Sequence, residues 1–107
     1  MRDYSNIPTI QWREPESLMR VKAQVRHQEP VIIEMPEHFQ FDAGDSVAEC
    51  KRDESGDCIY DCAPESVLSE LASRNHMPAL RDLAAICVES GSRLDLDGSN
   101  RRLIIHD

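Results

Sequence analysis

The amino-acid sequence predicts an α+β domain in which a helical hairpin packs on a small, mostly antiparallel sheet of short strands. Two observations lead to this fold class. Sustained helical periodicity is confined to residues 64–90, whereas the rest of the chain alternates short apolar runs with turn-forming residues. The chain has 107 residues, which is room for one compact domain. We therefore expect residues 1–107 to fold as a single unit.

Short strands are predicted in the first two thirds of the chain. Apolar runs over 7–12 and 31–35 each indicate a strand, and the second run contains three consecutive β-branched residues. Two further runs, 46–51 and 57–62, flank the turn-forming segment Asp53–Gly56 and predict a β-hairpin.

Residues 15–27 are ambiguous between helix and strand. The segment opens with Pro-Glu-Ser, which is typical of a helix start. Val21, Ala23 and Val25 then alternate with polar residues, which is the period of a half-buried strand. We favour a single helical turn followed by a strand over 20–27, with a continuous helix as the alternative.

Two helices and a second hairpin are predicted in the last third of the chain. Pro64 and Pro78 each open an amphipathic helix, and together the helices form a hairpin over 64–90. A C-terminal β-hairpin over 93–106 turns at Asp97–Asn100; Leu94 and Leu96 alternate with Asp95 and Asp97, so we expect Leu94, Leu96, Leu103 and Ile105 to pack on one side. The apolar stripes comprise Val67, Leu68, Leu71 and Ala72 in the first helix and Leu80, Leu83, Ala84, Cys87 and Val88 in the second.

The cysteines and the N-terminus indicate a cytoplasmic protein. The sequence begins without the apolar core of a signal peptide, and no apolar run is long enough to span a membrane. In the cytoplasm Cys50, Cys58, Cys62 and Cys87 are expected to be reduced thiols. Their spacing fits none of the paired zinc-binding patterns, so we expect no metal and no cofactor, with a metal site built from these cysteines and His38 or His76 as the alternative. The predicted hairpin would place the first three on one face, as packing groups.

The negative charge of the chain is concentrated in one segment. Residues 41–70 carry two basic and nine acidic residues, a net charge of −7, out of −8 for the whole chain. Such a segment repels nucleic acid and attracts basic surfaces, although a solvated face that keeps a protein soluble is the simpler alternative. We predict that the segment binds a basic protein partner. The residues predicted to bind are Asp45, Glu49, Asp53, Glu54, Asp57 and Asp61.

No catalytic motif is recognisable. The sequence has no nucleophile motif and no glycine-rich loop that could hold a phosphate. We expect His76, in the loop between the helices, and His106, next to the C-terminus, to be solvated. The sequence therefore predicts a non-catalytic binding protein of the inhibitor, immunity or antitoxin kind. A small enzyme or ligand-binding domain with no readable motif is the remaining alternative.

Residues 20–62 carry a local resemblance to a known family. Arg20–Val25 reads as a basic strand, Val31–Phe41 as an apolar strand that ends in a proline, and Gly44–Val47 and Gly56–Ile59 follow. The segment resembles the swapped-hairpin domain of AbrB-, MazE- and VapB-type antitoxins and regulators. The resemblance implies an intertwined homodimer that binds DNA through its first hairpin and a toxin through its tail. A DNA-binding antitoxin or regulator is thus a further alternative.

Homodimerisation is also expected on general grounds. A small sheet of short strands exposes edges, and pairing with a second copy is one common way to cover them.

Overall fold

The computed structural model describes residues 4–48, 50–52 and 59–106. These residues form an α+β fold, which confirms the predicted class, with one mixed sheet in the order β1-β2-β6-β5-β4-β3. β1 runs parallel to β2, and the other neighbouring strands are antiparallel. In chain order the elements are β1 (Thr9–Gln11), α1 (Glu16–Arg26), β2 (Val31–Glu34), a 3-10 helix (Gly44–Val47), β3 (Lys51–Arg52), β4 (Ile59–Cys62), α2 (Pro64–Arg74), α3 (Pro78–Ser90), β5 (Arg93–Asp97) and β6 (Arg102–His106).

The helix α1 replaces the strand predicted over 20–27, so the helical alternative is the correct one. Ser17, Val21 and Val25 are buried at a spacing of four residues, which places them on one side of a helix. Ala23, which the alternating pattern grouped with the valines, is exposed. α1 joins two parallel strands, and a parallel connection requires a crossover element, which a further hairpin strand would not provide.

The hairpin predicted over 46–62 forms only in part. β3 and β4 pair antiparallel, with Lys51 opposite Asp61. The first predicted strand is much shorter than expected, because a 3-10 helix over Gly44–Val47 and a helical backbone at Ala48 take up its first residues. The predicted turn, residues 53–56, lies outside the described residues.

The helices α2 and α3 form the predicted helical hairpin. Pro64 and Pro78 occupy the first turns, and Gly91 ends α3 in a left-handed conformation. The predicted apolar stripes are buried, except that Val88, at the margin of its stripe, is 51% exposed. No helix in the described part of the chain is both long enough and apolar enough to cross a membrane. Leu68, Leu71, Leu80, Leu83 and Cys87 are all fully buried in the core.

The strands β5 and β6 form the predicted C-terminal hairpin and define the two faces of the sheet. Leu94 lies opposite Ile105, and Leu96 lies opposite Leu103. All four side chains belong to the core that the helices cover, as predicted. We call the opposite face of the sheet the outer face. Its residues occupy the alternate strand positions and include Ile32, Asp61, Asp95, Asp97, Ile104 and His106.

Two of the four cysteines do not match the expectation of reduced thiols. Cys50 and Cys62 form a disulfide, with a Cα–Cα distance of 4.6 Å. The antiparallel pairing of β3 with β4 brings these two residues side by side, which the predicted hairpin face already suggested. Cys87 is a free, buried thiol in α3. Cys58 lies outside the described residues.

Candidate functional site

Of the six acidic residues predicted to bind a partner, the structure describes two, and they lie in different places. Asp45 is an exposed residue of the 3-10 helix. Asp61 lies in β4 on the outer face, where its side chain is only 25% exposed. The fold therefore does not bring Asp45 and Asp61 together in a single patch. Glu49, Asp53, Glu54 and Asp57 lie outside the described residues.

The carboxylate of Asp45 lies in an acidic cluster around Arg74, at the end of α2. Arg74 Nε lies 2.7 Å from Glu70 Oε1, and Arg74 Nη1 lies 2.9 Å from Asp42 Oδ2. The hydrogen bond to Glu70, and next the charge of Asp42, raise the pKa of Arg74, with a smaller contribution from Asp45. The guanidinium thus remains charged, but three carboxylates surround it, so this end of α2 is negative.

A shallow groove separates the exposed sides of α2 and α3 and has a volume of about 410 Å³. Its apolar surface is formed by Ala84, Ala85 and the exposed Val88 of α3. Glu65 from α2 and Glu89 from α3 add negative charge. The groove therefore combines a small apolar contact area with acidic residues.

The groove and the Arg74 cluster adjoin the solvent-exposed side of α2 from its two flanks, the groove next to α3 and the cluster next to Asp42. Ser69 lines the groove, and Ser73, one turn later, accepts a hydrogen bond from Arg81 Nη2 at 2.7 Å. Glu70 and Arg74 directly follow Ser69 and Ser73 in the same helix. We call this region the α2 surface. It comprises Asp42, Asp45, Glu65, Glu70, Arg74, Arg81, Val88 and Glu89.

A second cluster of ionisable side chains lies on the outer face. Asp61, Asp95 and His106 come from the adjacent strands β4, β5 and β6, and one ligand atom from each lies within 4.8 Å of the others. His106 Nε2 lies 2.9 Å from Asp95 Oδ1. Tyr4 donates its hydroxyl proton to Asp95 Oδ2 at 2.9 Å, and Arg93 binds Asp61 Oδ1 at 3.2 Å. We call Asp61, Asp95 and His106 the outer-face cluster.

A buried ion pair adjoins the outer-face cluster. Asp97 is fully buried, and its Oδ2 lies 2.8 Å from Arg102 Nε. Asn100 donates to both carboxylate oxygens of Asp97, from its backbone nitrogen at 3.2 Å and from Nδ2 at 3.0 Å. The guanidinium of Arg102 also lies over the Tyr4 ring, 5.1 Å from its centroid. These bonds provide the compensation that a buried carboxylate requires.

The outer-face cluster was missed by the sequence analysis. The alternation of Leu94 and Leu96 with Asp95 and Asp97 puts the aspartates on the face opposite the leucines, as the structure does, but it gives no sign that the aspartates are buried. The structure buries both aspartates completely, and the side chain of His106, expected to be solvated, is 22% exposed. Three acidic or imidazole groups on three strands meet only because of the strand order, and the sequence carries no direct signal of that order.

Comparison with protein-family models, with characterised proteins and with solved structures finds no match for this chain.

Proposed function

We propose that this chain is a non-catalytic protein that binds a basic protein partner through the α2 surface, as an inhibitor, immunity or antitoxin-type protein does. The observation that carries the proposal is the concentration of charge: residues 41–70 hold a net −7 of the −8 carried by the whole chain. Four of the carboxylates in this segment, Asp42, Asp45, Glu65 and Glu70, belong to the α2 surface.

The exposed Val88 supports the same surface. A valine in an apolar helical stripe is normally buried, yet this one is 51% exposed and lines the groove between α2 and α3. A partner that places an apolar side chain over Val88 and basic side chains near Glu65 and Glu89 would cover the groove and neutralise its charge. Binding surfaces commonly combine a small apolar centre with a charged rim.

The charge of the α2 surface also sets the expected kinetics. A negative surface steers a basic partner toward it, raises the association rate and makes binding sensitive to salt. We place the interaction in the cytoplasm. Thiol reductants in that compartment would act on the Cys50–Cys62 disulfide, so binding is to be measured with and without reductant.

The test begins with the wild-type chain as bait in a lysate of the source organism, to identify a partner. The partner is then expressed and titrated against purified variants. Val88→Asp should weaken binding by at least about tenfold, as expected when a charge enters an apolar contact at the centre of an interface. The double change Glu65→Gln with Glu89→Gln should lower the association rate and reduce its dependence on salt.

Matched controls make the result specific to the α2 surface. Met19→Asp puts the same charge on the other large exposed apolar residue of the described chain, which is 77% exposed on α1. Glu29→Gln with Glu37→Gln removes two charges from exposed positions outside the acidic segment. Equal loss of affinity in Val88→Asp and Met19→Asp would contradict the proposed surface. Tight binding of the wild type to a defined DNA duplex would instead favour the DNA-binding alternative.

The DNA-binding alternative has one structural difference to explain. In the resemblance to swapped-hairpin regulators, Arg20–Val25 is the first strand of the DNA-binding hairpin. In this chain the same residues belong to α1.

A further inference from the structure

We propose that the outer-face cluster binds a divalent transition-metal ion of the Zn²⁺ type. This inference goes beyond partner binding and does not depend on it, because the α2 surface and the outer-face cluster lie on opposite sides of the sheet. The ligands are a carboxylate oxygen of Asp61, a carboxylate oxygen of Asp95 and the Nε2 atom of His106.

The strand register brings the three ligands together on a rigid frame. Asp61 and Asp95 are direct cross-strand partners on β4 and β5. His106 lies on β6, diagonally across from Asp95, whose direct partner is Ile104. All three side chains point to the outer face because each occupies an alternate position of its strand. Sites built on neighbouring strands hold their ligands more precisely than sites built on loops.

The distances fit a metal after a small adjustment. His106 Nε2 and Asp95 Oδ1 are 2.9 Å apart, a hydrogen-bond distance, so an ion has to displace the proton between them and separate the two atoms slightly. Metal bonds of about 2.0 to 2.2 Å keep the ligands of one ion within roughly 4 Å of each other. The three ligand atoms here lie within 4.8 Å of one another, so a bound ion requires them to move slightly closer together.

The charge distribution favours a cation at this point. Two carboxylates that face each other directly across neighbouring strands repel, and that repulsion grows as water is excluded. Asp95 is fully buried, accepts a hydrogen bond from the Tyr4 hydroxyl and pairs with His106, which a bound ion would engage as a ligand. Arg93 binds one oxygen of Asp61, but a carboxylate has about four acceptor positions and can hold an ion as well. A bound cation would reduce the repulsion between the two aspartates.

The ligand types select the class of ion. One imidazole nitrogen with two carboxylate oxygens suits zinc, cobalt and manganese better than it suits calcium or magnesium, which take oxygen ligands alone. Only deprotonated Nε2 can bind a metal, so a proton on His106 competes with the ion. Three protein ligands leave further coordination positions for water or for a group of a bound molecule.

The experiment is a titration of the full chain with Zn²⁺ by calorimetry, combined with thermal unfolding. We expect one ion per chain and a rise in the unfolding temperature when the site is saturated. Asp61→Asn and His106→Gln should each weaken binding by at least about tenfold. The loss of a metal ligand lowers metal affinity at least as much as the loss of a group that orients a ligand.

Three controls separate this site from other zinc ligands. His76→Gln removes an exposed histidine from the loop between α2 and α3 and should leave binding unchanged. Cys58→Ser removes the cysteine outside the described residues. Titration with Co²⁺ should give a visible spectrum without the intense thiolate-to-metal band that cysteine ligation produces. Circular dichroism verifies that the variants are folded. If His106→Gln does not fold, Asp61→Asn still tests the site, because Asp61 is partly exposed and asparagine has the same shape as aspartate. Absence of binding, or binding that survives Asp61→Asn, overturns the proposal.

Discussion

Arg101 shows how a single side chain can fix a long loop. Its Nη2 donates to the backbone carbonyls of Pro36 at 2.7 Å, Glu37 at 2.5 Å and Phe39 at 3.1 Å. Its guanidinium also lies 5.7 Å from the centroid of the Phe41 ring. A planar, permanently charged group with several donors is suited to this arrangement. The segment after β2 is therefore anchored to the turn between β5 and β6, far away in the sequence.

At the same scale, we predict that Cys87 is unreactive in the folded protein. Burial raises the pKa of the Cys87 thiol to about 12, from a usual value of 9.0. The thiolate is the reactive form, so alkylation by iodoacetamide at neutral pH should require unfolding. Mass spectrometry of a Cys58→Ser protein, with and without denaturant, measures this. Rapid alkylation of Cys87 in the native protein would contradict the prediction.

The same raised pKa predicts a loss of stability at alkaline pH. The folded state binds the thiol proton more tightly than the unfolded state does. The stability that this proton contributes is fully present below about pH 9 and is lost as pH rises toward 12. Other groups titrate in this range as well. The Cys87→Ala protein therefore serves as the reference, and it should lose less stability than the wild type between these two pH values.

At the scale of the elements, the helical hairpin should owe its stability to its buried stripe. We predict that Leu83→Ala lowers the free energy of unfolding by about 2 to 5 kcal/mol, because Leu83 is fully buried and its truncation leaves a cavity. Val88→Ala, five residues later on the same helix but 51% exposed, should cost much less. Urea denaturation of both variants provides the measurement. Equal costs would mean that the two positions are equally buried.

The elements differ in how well the sequence predicts them, and α1 shows why. The helices α2 and α3, of 11 and 13 residues, carry apolar residues at a spacing of three and four over about three turns each, and no other structure fits that pattern. In residues 20–26 the valines are four apart, a spacing that fits both an alternating strand and a helical stripe. What decides between them is the layer against which the segment packs. Ser17, one turn earlier, extends the helical stripe, but a buried serine is a weak signal.

The outer-face cluster could not be predicted for a different reason. Asp61, Asp95 and His106 are separated by 34 and 11 positions, and their proximity depends on the order β6-β5-β4 in the sheet. Hairpin pairing of β5 with β6 was readable from the turn between them. The pairing of β4 with β5 was not, because two helices intervene. The alternation of the strand residues gave the correct face for the aspartates but carried no information about what covers it.

At the scale of the whole molecule, the sheet has two edges that another chain could meet. β1 and β3 are the edge strands, with three and two residues respectively. Trp12 donates its backbone N–H to Glu34, and Pro8 accepts from Ile32, so these groups of the β1 segment point toward β2. Because backbone groups alternate along a strand, the N–H groups of Thr9 and Gln11 point away from the sheet. Ser17 Oγ donates to the outward carbonyl of Gln11 at 2.7 Å, so what the β1 edge offers to another chain is the N–H groups of Thr9 and Gln11.

We predict that two copies of the chain associate through their β1 edges to form a homodimer. Gln11→Pro should abolish the dimer, because it removes an outward N–H group without removing a bond to β2, and proline is tolerated on an edge strand. Gln11→Ala retains the N–H group and serves as the matched control, which should remain dimeric. Light scattering over a wide range of concentrations measures the mass of each protein. A wild-type chain that stays monomeric at high concentration would contradict the prediction. It would also remove the main expectation of the swapped-hairpin resemblance, which is a homodimer. A dimer that persists in Gln11→Pro would instead place the interface away from β1.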